Sequence, residues 1–532
     1  MRRFLTIALG VLFSFGLLSS AEAADARDQI VASPFHALDY VVLLGYLVAL
    51  IAMGFYFAKR NTTTADYFLA GQRIPWWAAT MSIFSTQLSA VTFMAIPAKA
   101  YGVNWVTILI NLGIILVAPI TVFCFLPFYR RLKVVSIYEY LERRFGSGMR
   151  VYGSLSFVVL QIAKMGVFLL LPSLALSTVT GLNLYVCIGA MGLLCTVYTV
   201  LGGIEAVVWT DVLQSVVLVG GGLLCFGMII AAEGYDIGAM WDVATAADKF
   251  HVFTTTGGWG PGSNTFWVWI VGGFFIQLVP FISDQVPMQR LLTTPDEKSA
   301  AKAVWAHAAI VVPASLLFFG LGTALYVFYI SRPELMPPGG NNDIIVPWFI
   351  ANQLPMGLAG LVIAGLFAAT MSTVDSGMHS ISTSLVSDIH SKIQPDADDK
   401  TRLSVARIIT IIAGILGTIS AVVISTQDAK SLWDLLLMLM ALFGSTLAGV
   451  FILGVFTKRA HSLGAAIGVV ASVAALVTLR NVDLPIHGVL TAAVGVLTCV
   501  LVGYLVSIIL PGSQRSLANV TLSELNPADD PS

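Results

Sequence analysis

Charge is scarce in this chain. Only 11% of its 532 residues are Asp, Glu, Lys or Arg, and 28 basic residues nearly balance 29 acidic ones. There is no basic tract, so nothing points to nucleic acid as a partner. The five cysteines (Cys124, Cys187, Cys195, Cys225 and Cys499) all lie in apolar runs without CxxC spacing. That pattern supports neither a zinc site nor a disulfide framework. The seven histidines show no HExxH spacing, and the chain has neither a GxSxG elbow nor a P-loop. Serine hydrolysis and ATP hydrolysis therefore have no basis in the sequence, which reads as that of a non-enzyme.

Apolar residues are what the chain does have. They make up 57% of it, the mean hydropathy is +0.87, and they come in repeated long runs. Runs of about 20 residues are what a helix needs to cross a ~30 Å hydrocarbon core. The sequence predicts an all-α polytopic membrane protein surrounded by lipid. Residues 1–25 read as a signal sequence, with Arg2-Arg3, an apolar core and Ala21-Glu22-Ala23 as the cleavage site; an uncleaved first helix is the alternative. Thirteen further spans are expected, at 37–58, 76–101, 104–128, 151–180, 183–203, 206–233, 265–286, 303–331, 355–390, 403–426, 431–457, 461–480 and 485–510. An N-terminus outside and a C-terminus in the cytoplasm place Lys59, Arg60 and Arg73 inside, with the cluster from Arg130 to Arg150, Arg290, and Lys458-Arg459. This is the positive-inside pattern expected of an inner-membrane protein. Two outer loops, 234–264 and 332–354, have room for a short surface helix or a lid. The tail 511–532 is polar and acidic.

The chain is organised around Leu361 to His390, LVIAGLFAATMSTVDSGMHSISTSLVSDIH. Ala369, Ser372, Thr373 and Ser376 fall at i, i+3, i+4 and i+7, so one helical face carries small or oxygen-bearing side chains, with Asp375 beside it. Two readings are open: helix packing through small residues, or an ion pathway marked by an intramembrane carboxylate. A second polar stretch, Ser85-Thr86-Gln87-Leu88-Ser89-Ala90-Val91-Thr92, lies mid-span ahead of Pro97, and implies tight packing or unwound backbone lining a cavity. Lys164 sits more than ten residues from either end of its span. It requires a protein carboxylate, backbone carbonyls or an anionic substrate. Asp211 reads as a helix-end residue or an inner ion ligand, and Asp284 as a structural residue nearer the interface. Gln161 and Asn111 read as interhelical hydrogen-bonding amides.

Six stretches in order, ADYFLAGQRIPWW, STQLSAVTF, SIYEYLERRFG, YTVLGGIEAVVWTDVLQ, SDQVPMQRLLTT and AATMSTVDSGMHSISTSLVSDI, resemble the sodium:solute symporters. The likeness runs from about Leu38 to Leu510. It implies a LeuT-type five-plus-five inverted-repeat fold with about thirteen transmembrane helices. The ten-helix core would be 76–457, with one additional helix before it (37–58) and two after it (461–510). It also implies Na+ as coupling ion, one or two per cycle, driving inward a small organic solute. The sodium site shared by the family would use main-chain oxygens of Ser85, Leu88 and Ala369 with the hydroxyls of Ser372 and Thr373. A further sodium, as in the sialic acid symporters, would involve Asp211, Ser372, Asp375 and Ser376. One departure is Asp375, which falls where those symporters have a serine; a carboxylate there strengthens a cation site or makes it proton-sensitive. The candidate substrate-binding residues are Gln87, Ser89, Thr92, Asn111 and Lys164. Ser89 and Thr92 match carboxylate-contacting hydroxyls, and Lys164 stands where those symporters have an arginine. Lysine is a point charge without arginine's planar fork. The implied solute is an acidic sugar such as sialic acid or another carboxylate. The alternatives are a neutral sugar, a monocarboxylate or an inorganic anion, and a non-transporting membrane sensor.

Overall fold

A computed structural model describes residues 36–60, 63–88, 90–234, 236–255, 257–260, 263–337, 342–426, 432–482, 486–512 and 520–524. The expected signal sequence and most of the tail lie outside the described residues. α1 (Ala37–Ala58) precedes a bent pair, α2 (Trp76–Gln87) and α3 (Ala90–Gly102). α4 (Ile108–Ile120) runs through a π turn, Thr121–Phe125, into Leu126–Arg131. Next come α5 (Ser147–Thr180), α6 (Leu184–Ala232) and a second broken pair, α7 (Phe266–Ser283) and α8 (Gln285–Leu292). α9 (Glu297–Ser331), α10 (Leu358–Leu385) and α11 (Asp399–Ser425) follow. Leu432–Leu439 and a π stretch, Met440–Ser445, then lead into α12 (Thr446–Phe456), α13 (Ser462–Asn481) and α14 (Thr491–Ile509).

Among the described residues, 11 helices are long and apolar enough to cross a membrane, or 12 with α2 and α3 taken as one span bent by 57°. α6 counts once, yet its 49 residues make about 74 Å of helix, more than twice the hydrocarbon thickness. Gly203 inside it takes φ 60°, ψ −167°, a conformation open essentially to glycine alone. The break falls between the two spans expected over 183–203 and 206–233. The span expected over 76–101 is not continuous, however, because it breaks after Gln87. Short helices also occupy both outer loops, Ile237–Ala246 and Ile345–Gln353. Lys249 pins the first of these loops: its Nζ donates to Tyr101 O at 2.6 Å and Val103 O at 3.1 Å, and lies 3.9 Å from the Tyr326 ring centroid. Burial of the ammonium lowers its pKa from the ordinary lysine value.

α10 is the central element. In its most apolar window 89% of the residues are buried, against 33% for α1 and 28% for α11, so α10 lies inside the bundle and the other two at its rim. Ile408, Ile411, Ile412, Ile415 and Ile419 form an exposed stripe on α11, suited to lipid. α10 packs most extensively on α6. Its N-terminus is tied to α1, because buried Asp39 Oδ1 accepts from Gly357 N at 2.7 Å and Gly360 N at 2.8 Å. That carboxylate satisfies orphan amides at the positive end of α10, which is why the added first helix is fixed to the core.

α4 and α7 cross where Gly113 meets Gly273. A Cβ on Gly273 would stand 2.7 Å from Ile110 Cα, and one on Gly113 2.7 Å from the Gly273 carbonyl carbon. Both obstacles are backbone, so no rotamer change relieves them. Gly273→Val is expected to sharply reduce the monodisperse fraction on size-exclusion chromatography, whereas Gly189→Val, facing open space, leaves it unchanged. Equal profiles would show that this crossing tolerates separation.

Candidate functional site

The two broken pairs create the site. Thr86 Oγ1 donates back to Ser82 O at 2.8 Å, a side-chain bond that competes with the backbone ladder and bends the last turn of α2. Leu88 then leaves helical geometry at φ −87°, ψ 74°. Pro97 in α3 removes another ladder donor. In the second pair, Pro280 weakens the end of α7, and Asp284 is extended at φ −100°, ψ 124°. Its Oδ1 accepts from Val286 N at 2.9 Å and caps α8.

The carbonyl end of α2 meets the hydroxyl face of α10. Thr373 Oγ1 is 3.1 Å from Thr86 O and 3.2 Å from Ala369 O, and donates between them. Ser372 Oγ lies 3.4 Å and Ser376 Oγ 3.2 Å from Thr86 Oγ1. Ser85 and Leu88, close to Thr86 along the chain, are buried, and among the described residues Ser85 Oγ has no hydrogen-bond partner. The structure thus brings Ala369, Ser372 and Thr373 together with Thr86, which the sequence reading had not placed in the set and whose chain neighbours are Ser85 and, two positions on, Leu88. Neutral oxygens converging on a half-helix C-terminus suit a hard monovalent cation. Among the described residues no group of three or more His, Cys, Asp or Glu is placed to hold a metal ion.

Next to this face lies a charged set. Asp211 is fully buried and accepts from Ser82 Oγ on Oδ2, while among the described residues its Oδ1 has no hydrogen-bond partner. Arg290, on α8, is also fully buried. Its Nη2 donates to Ser376 Oγ and stands 3.7 Å from Asp211 Oδ2, its Nε donates to Ser82 Oγ at 3.1 Å, and its Nη1 to Val286 O at 2.9 Å. Sequence reasoning counted Arg290 among cytoplasmic loop charges; the structure corrects this and puts the guanidinium among the residues expected to hold a further cation. Asp375, beside this set, is held by other donors: Tyr198 Oη donates to its Oδ2 at 2.7 Å, and Ser376 N to its Oδ1 at 2.5 Å. No cationic side chain among the described residues forms an ion pair with Asp375 within 4.0 Å.

Lys164 has a protein partner. Its Nζ donates to Asp284 Oδ2 at 3.3 Å, with side chains 13% and 7% exposed. Of the three partners open to Lys164 in the sequence, a protein carboxylate is the one observed. Asp284 stands at the break after α7, where its neighbours Ser283 and Gln285 accept from Tyr138 Oη at 3.2 Å and from Ile137 N at 2.9 Å. Asn111 Nδ2 donates to Ser315 Oγ at 3.1 Å, joining α4 to α9 as an interhelical amide. Gln87 and Thr92 are half-buried on either side of the first break, and Ser89 lies outside the described residues. Gln161 is buried with Oε1 unpartnered.

The profile of the Sodium:solute symporter family matches residues 67–472. The sodium/sialic acid symporter NanT of Aliivibrio fischeri is 36% identical over 495 residues, 93% of this chain and 97% of that one. SiaT of Proteus mirabilis, likewise a sodium/sialic acid symporter, is 36% identical over 92% of this chain and 99% of its own. A solved Na+-coupled sialic acid symporter, substrate-bound and outward-open, superposes with a TM-score of 0.84 at 34% identity, covering 91% of this chain and 100% of that one. A nucleobase-cation-symport-1 family transporter shares the fold at a TM-score of 0.57 and 16% identity.

Proposed function

The chain belongs to the sodium:solute symporter family, and from that premise we propose that it imports an acidic sugar of the sialic acid class. It is a transporter, not an enzyme, with the LeuT-type inverted-repeat fold and Na+ as its coupling ion. The observation that carries the proposal is the meeting of the α2 carbonyl end with Ser372 and Thr373. Sodium would sit there, among main-chain oxygens of Ser85, Leu88 and Ala369 and the two hydroxyls. Asp211, Asp375 and Ser376 are the proposed ligands of a second ion. The solute would lie between the breaks, against Gln87, Ser89, Thr92, Asn111 and Lys164. Each net positive charge moved inward through 100 mV supplies ~2.3 kcal/mol, so two sodium ions carried with one anionic solute would concentrate it steeply. The basic residues between spans support an N-terminus outside and a C-terminus in the cytoplasm. The pairing of Lys164 with Asp284 favours a second reading, a neutral sugar, because the lysine's charge is already matched within the chain.

Ser372→Ala and Thr373→Ala each delete an oxygen that a dehydrated sodium needs. Each is expected to raise the sodium concentration for half-maximal uptake about tenfold or more, the scale of ~1.5–3 kcal/mol for a bond to a charged group. Uptake of labelled sialic acid into proteoliposomes across a sodium gradient reads this directly. Unchanged sodium activation in both variants would reduce this face to helix packing.

A further inference from the structure

Asp284 occupies the non-helical position between α7 and α8, and its two oxygens have different tasks. Oδ1 caps α8 through Val286 N, at 2.9 Å; Oδ2 takes Lys164 Nζ, at 3.3 Å. The second contact is long beside the ~2.7–2.9 Å of a well-formed charge-assisted bond. Both side chains are largely covered, at 13% and 7% exposure. A small cavity lined by Ser156, Leu160, Val279, Ser283 and Phe443 borders the same carboxylate. Among the described residues, Asp284 is the acid within 4.0 Å of Lys164.

We infer that Asp284 is a specificity-determining residue: it holds the Lys164 charge in the absence of solute and gives it up to an incoming carboxylate. The inference rests on the acidic-solute reading above. A lysine this deep needs a counter-ion at every stage of the cycle, and the loose Oδ2 contact is the one that can be exchanged. The Oδ1 cap stays in place, so α8 keeps its N-terminus while the ammonium changes partner. An acid therefore binds against a resident competitor of its own charge, whereas a neutral ligand meets a pair already satisfied. The net selectivity is the difference between two lysine–carboxylate contacts, one within the chain and one with the solute.

The test measures dissociation constants of sialic acid and its neutral amide at saturating sodium, on purified wild type, Asp284→Asn, Asp284→Ser and Lys164→Gln. Asn and Ser both retain an acceptor for Val286 N and remove the competing charge. Both are expected to bind the acid about tenfold tighter than wild type, the scale of one charge-assisted contact, with the amide changed less than about twofold. Lys164→Gln is expected to erase the preference between acid and amide. If wild type binds the acid and the Asp284 variants bind it no tighter, Asp284 is a fixed structural partner and the inference alone falls. If neither Asp284 variant is recovered folded, the pair is likewise structural and the inference falls. A wild type that binds the amide but not the acid overturns the acidic-solute reading as well.

Discussion

Arg290→Ala is expected to lower stability by about 3–5 kcal/mol, the cost of breaking a buried pair by removing one partner, and to abolish sodium-driven uptake. The guanidinium is fully buried among Asp211, Ser82 and Ser376, so nothing replaces it when it is truncated. Asp211 is then left with hydroxyl donors alone, and its Oδ1 has no hydrogen-bond partner even in the intact protein. Asp375, one position before Ser376, adds a second carboxylate without a cation in contact. Arg290→Lys keeps the charge but loses the fork that reaches Ser82, Ser376 and the Val286 carbonyl together, so it should fall between wild type and alanine. The pairwise part is isolated by a double-mutant cycle with Asp211→Asn, which removes the charge that Arg290 balances. Thermal unfolding in detergent supplies the four midpoints. The double variant should be less destabilised than Arg290→Ala alone; strict additivity would mean the two groups do not act as a pair.

Arg290 also shows what the sequence could not disclose. It follows Asp284 by six positions in a polar stretch, and a count of charges between spans assigns it to the cytoplasm. Arg144 and Arg150 were counted the same way and are 2% and 7% exposed. A positive-inside count registers on which side a charge lies, not whether water reaches it. Arg144 in fact donates to the Gly454 and Thr457 carbonyls at the end of α12. The hydroxyl face of α10 was legible because helical periodicity alone puts Ala369, Ser372, Thr373 and Ser376 in one row. The first break was legible from a polar run followed by proline. The second was not, since Ser283-Asp284-Gln285 reads equally well as the end of a span. For the same reason the depth of Lys164 could be inferred and its partner could not: Asp284 is 120 residues away and is brought in only by the broken helix. The contact of Thr373 with the Thr86 carbonyl was not legible, because a main-chain oxygen leaves no mark on side-chain identity.

The other large effect is expected at the far end of α10. Asp388 lies in the π turn Val386–His390, 2% exposed, and accepts from Arg150 Nε at 2.7 Å, Ser136 Oγ at 2.7 Å and Ser384 Oγ at 2.8 Å. Arg150 also reaches Glu142 Oε2 at 2.6 Å and Ser387 O at 3.0 Å, so one guanidinium fastens α5, the short helix Tyr138–Phe145 and the end of α10. Lys392 meets the same Glu142 at 2.8 Å, but its side chain is 55% exposed. The two contacts have similar lengths and opposite expected values. Lys392→Ala should cost at most about 1 kcal/mol, as exposed pairs do. Arg150→Ala leaves Asp388 buried without a cation and should cost about 3–5 kcal/mol. Adding Asp388→Asn to Arg150→Ala removes the stranded charge, and should recover part of that loss while Ser136 and Ser384 keep an acceptor. Loss at this end also loosens the helix that presents Ser372 and Thr373, so the Arg150 variant should need more sodium for half-maximal uptake although it lies four helical turns or more from those hydroxyls. Thermal midpoints and sodium titrations on the three variants decide the matter. An Arg150→Ala protein as stable as Lys392→Ala, with wild-type sodium activation, would show that the network is surface decoration and that α10 is held by its apolar packing alone.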